Sequence, residues 1–222
     1  MINIFVTVVR IWIIFLAVAF SVVYVLGMEP LYKLLFVLMG LTYGFTAVVE
    51  AWVVGLDTGR GKFILILSSM GFTSALAVAL NSDLWHVFFR LSILIAVAFM
   101  YLNLRFNLHI RLGLSRRIIA IILSILVIIT TYLFSRYMQA GAVKEIILWM
   151  DSISLILVIA NFLMYLGGDI GKVWLAGVIA MLVLLMGDIF FLLGVPGHVE
   201  LAFWLIPLFI MNNVALRVIQ EA

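Results

Sequence analysis

Eight apolar stretches, each close to the length a helix needs to cross a bilayer, dominate the chain and constrain its fold. A spanning helix takes about 20 apolar residues, and such stretches lie near 3–26, 31–55, 62–80, 84–104, 118–137, 145–166, 172–194 and 199–218. A helix satisfies its own backbone hydrogen bonds, which lipid cannot do for it. The expected fold is therefore all-α, a polytopic transmembrane helical bundle with short loops. The third stretch is short, and a seven-span alternative merges or demotes the third or fourth.

Composition agrees with this reading. Hydrophobic residues make up 68% of the 222, and charged residues 10%, against roughly 25% in soluble domains. Such a chain could not cover a water-facing surface with polar groups. No polar stretch is long enough to fold alone, so 1–222 is read as a single membrane domain without a separate soluble domain. The longest polar connection, Arg105 to Arg117, is a loop. The apolar start, Ile11 to Leu26, is too long for a signal-peptide core and is read as a retained helix. Five tryptophans, Trp52, Trp85, Trp149, Trp174 and Trp204, fall at the ends of proposed spans, where indole rings favour the headgroup boundary. Trp12 lies deeper.

The basic residues set an orientation. Arg10, Arg60, Lys62, Arg105, Arg111, Arg116, Arg117, Lys172 and Arg217 lie on one side, and Lys33, Arg90, Arg136 and Lys144 toward the other. The excess predicts both termini in the cytoplasm. This scatter along loop edges reads as topology, so no nucleic-acid partner is expected. The partners expected are the lipid bilayer and, in an assembly, another protein or a second copy.

Several chemistries are excluded or disfavoured. Cysteine is absent, which removes disulfides, thiolate metal sites and cysteine nucleophiles. Histidine occurs only at 86, 109 and 198, without a zinc-binding H-E-x-x-H, and no lysine sits at mid-span to hold retinal. No cofactor or metal is expected. Proline occurs only at 30, 196 and 207, so the broken helices of transporters are not signalled.

Small residues mark packing seams: Gly40 and Gly44 form a GxxxG, and Ser68, Gly71, Ser74 and Ala75 line one face of the third helix. Glu50-Ala-Trp and Glu200-Leu-Ala-Phe-Trp echo one another without establishing a repeat.

Ionisable groups inside spans cost about 2.5–3.5 kcal/mol each near a helix centre unless they face protein or water. Two sets stand out. Arg10 and Glu50 are about equally far from the turn near Gly27 to Pro30, so an antiparallel hairpin brings them to one depth, and a structural ion pair is expected. Glu50 shares a face with Tyr43 and Thr46. Asp151 and Asp188 flank the turn near Asp169 at matched distances, about 8–10 Å below the outer face at 1.5 Å per residue. Arg90 reaches a similar depth, with His86 one turn above it, Asp83 above that, and Glu200 at the outer end of the eighth helix. Asp151, Asp188, Arg90, His86 and Glu200 thus form a candidate polar cluster. Two carboxylates in low dielectric cannot both ionise easily without a cation between them. That is the physics of a cation site, of acid–base hydrolysis, or of a buried network that specifies packing. Asn161, Asn212 and Asn213 are expected to bond between helices.

Gly167-Gly168-Asp169 and Met186-Gly187-Asp188 invite comparison with the GxGD intramembrane aspartyl proteases, but Leu166 and Leu185 stand where that motif needs glycine. Leu184-Leu185-Met186-Gly187-Asp188-Ile189-Phe190 resembles a glycine–aspartate helix of the YhhN-type lysoplasmalogenases, which are also small eight-helix proteins. The resemblance is confined to that segment. The family's earlier aspartate-bearing helix has no clear counterpart, and membership is not inferred. The leading expectation is a non-catalytic sensor, scaffold or subunit of a membrane assembly. The alternatives are a small-solute or ion transporter or channel using the outer carboxylates, and an intramembrane hydrolase using paired aspartates.

Overall fold

The computed structural model describes residues 2–107, 112–138, 141–165, 169–193 and 197–221. They form eight helices: α1 (Ile2–Val25), α2 (Glu29–Val54), α3 (Gly59–Leu80), α4 (Asp83–Leu102), α5 (Leu114–Met138), α6 (Ala142–Met164), α7 (Asp169–Leu192) and α8 (Gly197–Glu221). All eight are long and apolar enough to cross a membrane. A π turn, Asn103–Asn107, prolongs α4. His109, Arg111, Leu166, Gly167, Gly168 and Pro196 lie outside the described residues, as does the centre of the turn before Asp169. The expected Arg105 to Arg117 loop is helical at both ends, Arg105 in the π turn and Arg116 and Arg117 in α5, and its middle lies outside the described residues.

The third helix is not short. It begins at Gly59 rather than 62, because Thr58 caps it: its hydroxyl accepts from Gly61 N at 2.9 Å. A cap of this kind satisfies one of the orphan N–H groups of the first turn, so helix can start in a polar, glycine-rich segment. Pro30 sits in the first turn of α2, where its missing N–H costs nothing. Gly27 turns the chain before α2 at φ +67°, and Gly55 ends that helix at φ +99°.

Six helices close a ring in the order α2, α3, α4, α6, α7, α8 and back to α2. The other two sit outside it, α1 against α2 and α8, and α5 against α6. The buried residues of α1 (Val6, Ile13, Leu16, Phe20 and Val23) recur at spacings of three, four or seven, a single stripe that suits a peripheral helix. In α5 only 11% of the spanning window is buried, against 56% in α6. What holds α5 is polar: Thr131 and Ser152 share a hydrogen bond of 2.6 Å, and Ser135 donates to Glu145 at 2.8 Å.

The two halves, α1–α4 and α5–α8, repeat one plan. In each, the first helix is peripheral and packs on the second, which pairs with the third, which pairs with the fourth. The Glu50 and Glu200 echo links α2 to α8, which are not equivalent in this plan, so it does not mark the repeat. With eight antiparallel passes, both termini lie at one end of the bundle. A hydrogen bond from Arg10 on α1 to Gln220 on α8 joins them there. This end is called terminal below, and the opposite end distal.

The α2–α3 seam is the tightest contact. A Cβ at Gly71 would lie 2.8 Å from Gly44 Cα, and one at Gly40 would lie 2.9 Å from Gly71 O. Without side chains at these positions the two backbones approach closely, which is how helices associate where no hydrophobic force distinguishes protein from lipid.

Candidate functional site

Three helices bring Arg90, Asp151 and Asp188 together in the distal half. All three are fully buried, at 0%, 0% and 1% exposure. Arg90 Nε donates to Asp151 Oδ2 at 3.0 Å and to Asp188 Oδ2 at 3.2 Å, and Nη2 donates to Asp188 Oδ1. Trp204 Nε1 on α8 donates to the same Asp188 oxygen at 2.9 Å. The guanidinium also lies 4.2 Å from the Phe89 ring centre and 5.0 Å from that of Trp204. A planar guanidinium suits this site because its fork can bond two oxygens at once while its faces stack on aromatic rings. Asp188 is therefore held by two guanidinium nitrogens and an indole, and Asp151 by one nitrogen.

The triad is asymmetric in a second way. Arg90 Nη1 and Asp151 Oδ1 are buried without a hydrogen-bond partner among the described residues. When all three groups are ionised they sum to one negative charge. Of the remaining expected members, His86 lies against Trp204, the rings tilted with centres 4.9 Å apart, one turn from Arg90. Glu200 does not join: it is half-buried one turn before Trp204 and makes no ion pair among the described residues. Asp83 is exposed at the start of α4. Trp204, expected at the headgroup boundary, is instead 2% exposed and spends its N–H on Asp188.

The expected Arg10–Glu50 pair does not form. Arg10 is exposed and donates to Gln220 Oε1 at 2.9 Å, whereas Glu50 is 7% exposed and has neither an ion pair nor a side-chain hydrogen bond among the described residues. Equal depth in a hairpin fixes position along the axis but not around it. Arg10 lies on the side of α1 that reaches α8, while Glu50 follows Tyr43 and Thr46 around the buried face of α2. The asparagines divide similarly. Asn161 donates across to Val97 O on α4 at 3.3 Å, and Asn212 contacts Met39 Sδ on α2. Asn213 is exposed and bonds only Phe209 O of its own helix.

Glu50 leads to a feature the sequence did not disclose. Inside the six-helix ring is a cavity of about 320 Å³. Its walls are apolar, including Leu67, Ile93, Val97 and four methionines, Met70, Met100, Met181 and Met211. Apart from Tyr43, which lies deeper, its polar groups sit toward one end: Glu50 near the end of α2, Arg60 at the start of α3, Asn103 after α4 and Tyr165 after α6. That is the terminal end. Burial pushes the Tyr165 phenol above its ordinary value, and Arg60 acts in the opposite sense, so the two are within electrostatic reach. The lining runs on α7 from Val173 to Leu184, a rise of about 16 Å at 1.5 Å per residue. That is close to half of a hydrocarbon core about 30 Å thick.

The cavity and the triad adjoin without merging. Phe89 and Leu184 line the cavity, but Arg90, Asp151 and Asp188 do not. The Phe89 ring lies 4.2 Å from the guanidinium, and the same residue lines the cavity. The available sequence signals for the cavity were Gly177 and Ala180 on one face of α7 and the methionines on three further helices. Small residues and flexible thioethers leave or fill irregular space, but neither residue type announces a cavity without the helix arrangement. Among the described residues no three His, Asp or Glu side chains converge as metal ligands. Comparison with protein-family models, with curated proteins and with solved structures finds no match.

Proposed function

We propose that this protein is a non-catalytic membrane module that binds a single-chain amphiphile in its central cavity, with the tail along the apolar walls and the head at Glu50, Arg60, Asn103 and Tyr165. The observation that carries the reading is the polarity of the cavity, apolar over a depth of about one leaflet and polar toward one end. Pockets that hold small molecules are mostly apolar, with a few placed polar groups that orient the ligand, and span about 300–1,000 Å³. Both termini and the cavity mouth face the cytoplasm in this reading, as the excess of basic residues on that side favours.

Two observations weigh against the alternatives. A conduction path needs polar groups along its length, and beyond the polar end the described lining offers only the Tyr43 phenol. Hydrolysis by Asp151 and Asp188 needs a carboxylate in contact with the bound ligand, and both are engaged by Arg90 and absent from the cavity lining. The triad is read here as a buried network that fixes how α4, α6, α7 and α8 pack.

The test is to fill the space. Ala180 is buried on the cavity wall, so Ala180→Phe places a ring where the tail would lie. Native mass spectrometry of the purified protein should show a bound amphiphile in the wild type and little or none in the variant, with the fold retained by circular dichroism. Equal occupancy in both proteins would refute the assignment.

A further inference from the structure

The polar end of the cavity is ordered along its axis. Glu50 lies four residues before the last residue of α2, a depth of about 6 Å at 1.5 Å per residue. Arg60 is the second residue of α3 and is exposed at the rim. Tyr43 lies about 10 Å deeper than Glu50 on the same helix, seven residues away, and the apolar walls surround it. From the inside outward the cavity therefore presents hydrocarbon, then a buried carboxylate, then a guanidinium. Neither charged group has an ion-pair partner among the described residues. A buried carboxylate without a partner is costly unless it takes up a proton or a ligand supplies a cation or hydrogen-bond donors.

We infer that the mouth reads the direction of a zwitterionic head: it selects amphiphiles whose ammonium or amine adjoins the tail and whose acidic group is outermost. An ammonium next to the tail meets Glu50 in a weakly screened site, and an acid group beyond it meets Arg60. The reverse order, phosphate next to the tail and ammonium outermost, sets like against like at both positions. Discrimination of this kind comes from the repulsive arrangement as much as from the attractive one. The ligand class is a long-chain amphiphile with an amine near its chain and a phosphate, sulfonate or carboxylate beyond it. The inference rests on the amphiphile-binding reading of the cavity.

Two synthetic amphiphiles of equal chain length isolate head direction. Dodecyl sulfobetaine carries ammonium inside and sulfonate outside, and dodecylphosphocholine carries phosphate inside and ammonium outside. The full-length protein in lipid nanodiscs is offered both at equal concentration, with uncharged dodecylglycerol in a parallel sample, and native mass spectrometry counts what is bound. Wild type should favour the sulfobetaine at least tenfold. Glu50→Gln, which keeps the shape and removes the charge, should reduce that preference below threefold, with the fold retained by circular dichroism. Arg60→Gln should weaken the sulfobetaine about fivefold. Equal binding of the two zwitterions, a preference for dodecylphosphocholine, or a preference that survives Glu50→Gln overturns the inference and leaves the cavity reading standing. Absence of dodecylglycerol binding to wild type overturns both.

Discussion

Removing one carboxylate from the triad should have very different effects depending on which one is removed. Asp188 accepts from Arg90 Nε and Nη2 and from Trp204, while Asp151 accepts from Nε alone and carries an oxygen without a partner. Hydrogen bonds to charged groups contribute about 1.5–3 kcal/mol each, against about 0.5–1.5 for neutral ones. Asp151→Asn converts one charged bond to a neutral one and leaves a balanced Arg90–Asp188 pair, so it should cost about 1 kcal/mol. Asp188→Asn weakens three such bonds and leaves the guanidinium paired through Nε alone, so about 3 kcal/mol is expected. Arg90→Met leaves two buried carboxylates facing each other and should cost most, about 4 kcal/mol or more. For a chain of this size each kcal/mol shifts the melting temperature by about 2–4 °C. Thermal unfolding in detergent, followed by tryptophan fluorescence, should therefore show shifts of about 2–4 °C for Asp151→Asn and about 6–12 °C for Asp188→Asn. The triple variant Arg90→Met, Asp151→Asn, Asp188→Asn should recover much of the loss, since no unpaired charge remains. Equal costs for the two aspartates, or a larger cost at Asp151, would refute the bonding asymmetry from which these figures are built.

Gly71→Ala should lower stability by about 1–3 kcal/mol, because the added methyl meets the backbone of α2 rather than a movable side chain; a melting curve checks this. A double-mutant cycle between Arg10→Gln and Glu50→Gln should show coupling below about 0.5 kcal/mol, the scatter expected of independent sites, since Arg10 bonds Gln220 and Glu50 lines the cavity. Thr131→Val removes a hydrogen bond that ties α5 to α6 and should cost about 0.6 kcal/mol, the mean for such bonds between membrane helices, measured by the same unfolding assay. Reporter fusions should place both termini in the cytoplasm; an external signal from either one contradicts the orientation.

What the sequence made legible was position along the membrane normal. Apolar runs give the spans, and a fixed rise per residue gives each charge a depth. Depth alone sufficed to group Arg90, Asp151 and Asp188, because any azimuth that left them in lipid is penalised and three such groups at one level have each other to turn to. For Arg10 and Glu50 the same reasoning failed. Arg10 is near enough to the terminal end to remain exposed, so burial did not constrain its azimuth, and its partner came from the far end of the chain. The cavity was invisible for a related reason: it is a property of six helices in a ring, and neither Gly177 nor Met181 states which helix it faces. The segment around Asp188 resembled a hydrolase helix, yet what distinguishes its role here is Arg90, a residue 98 positions away.

Phe89 both lines the cavity and contacts the Arg90 guanidinium, and that limits the side chains position 89 can hold. Trimming the ring would let whatever occupies the cavity touch the guanidinium, while enlarging it would shorten the space left for a tail. A ligand that pushes on this ring also pushes on the charge network behind it, so occupancy and thermal stability should be linked variables in this protein. A ligand that binds the folded state raises the melting temperature by mass action alone. Here a change at one aromatic residue should alter both that increment and the baseline from which it is measured.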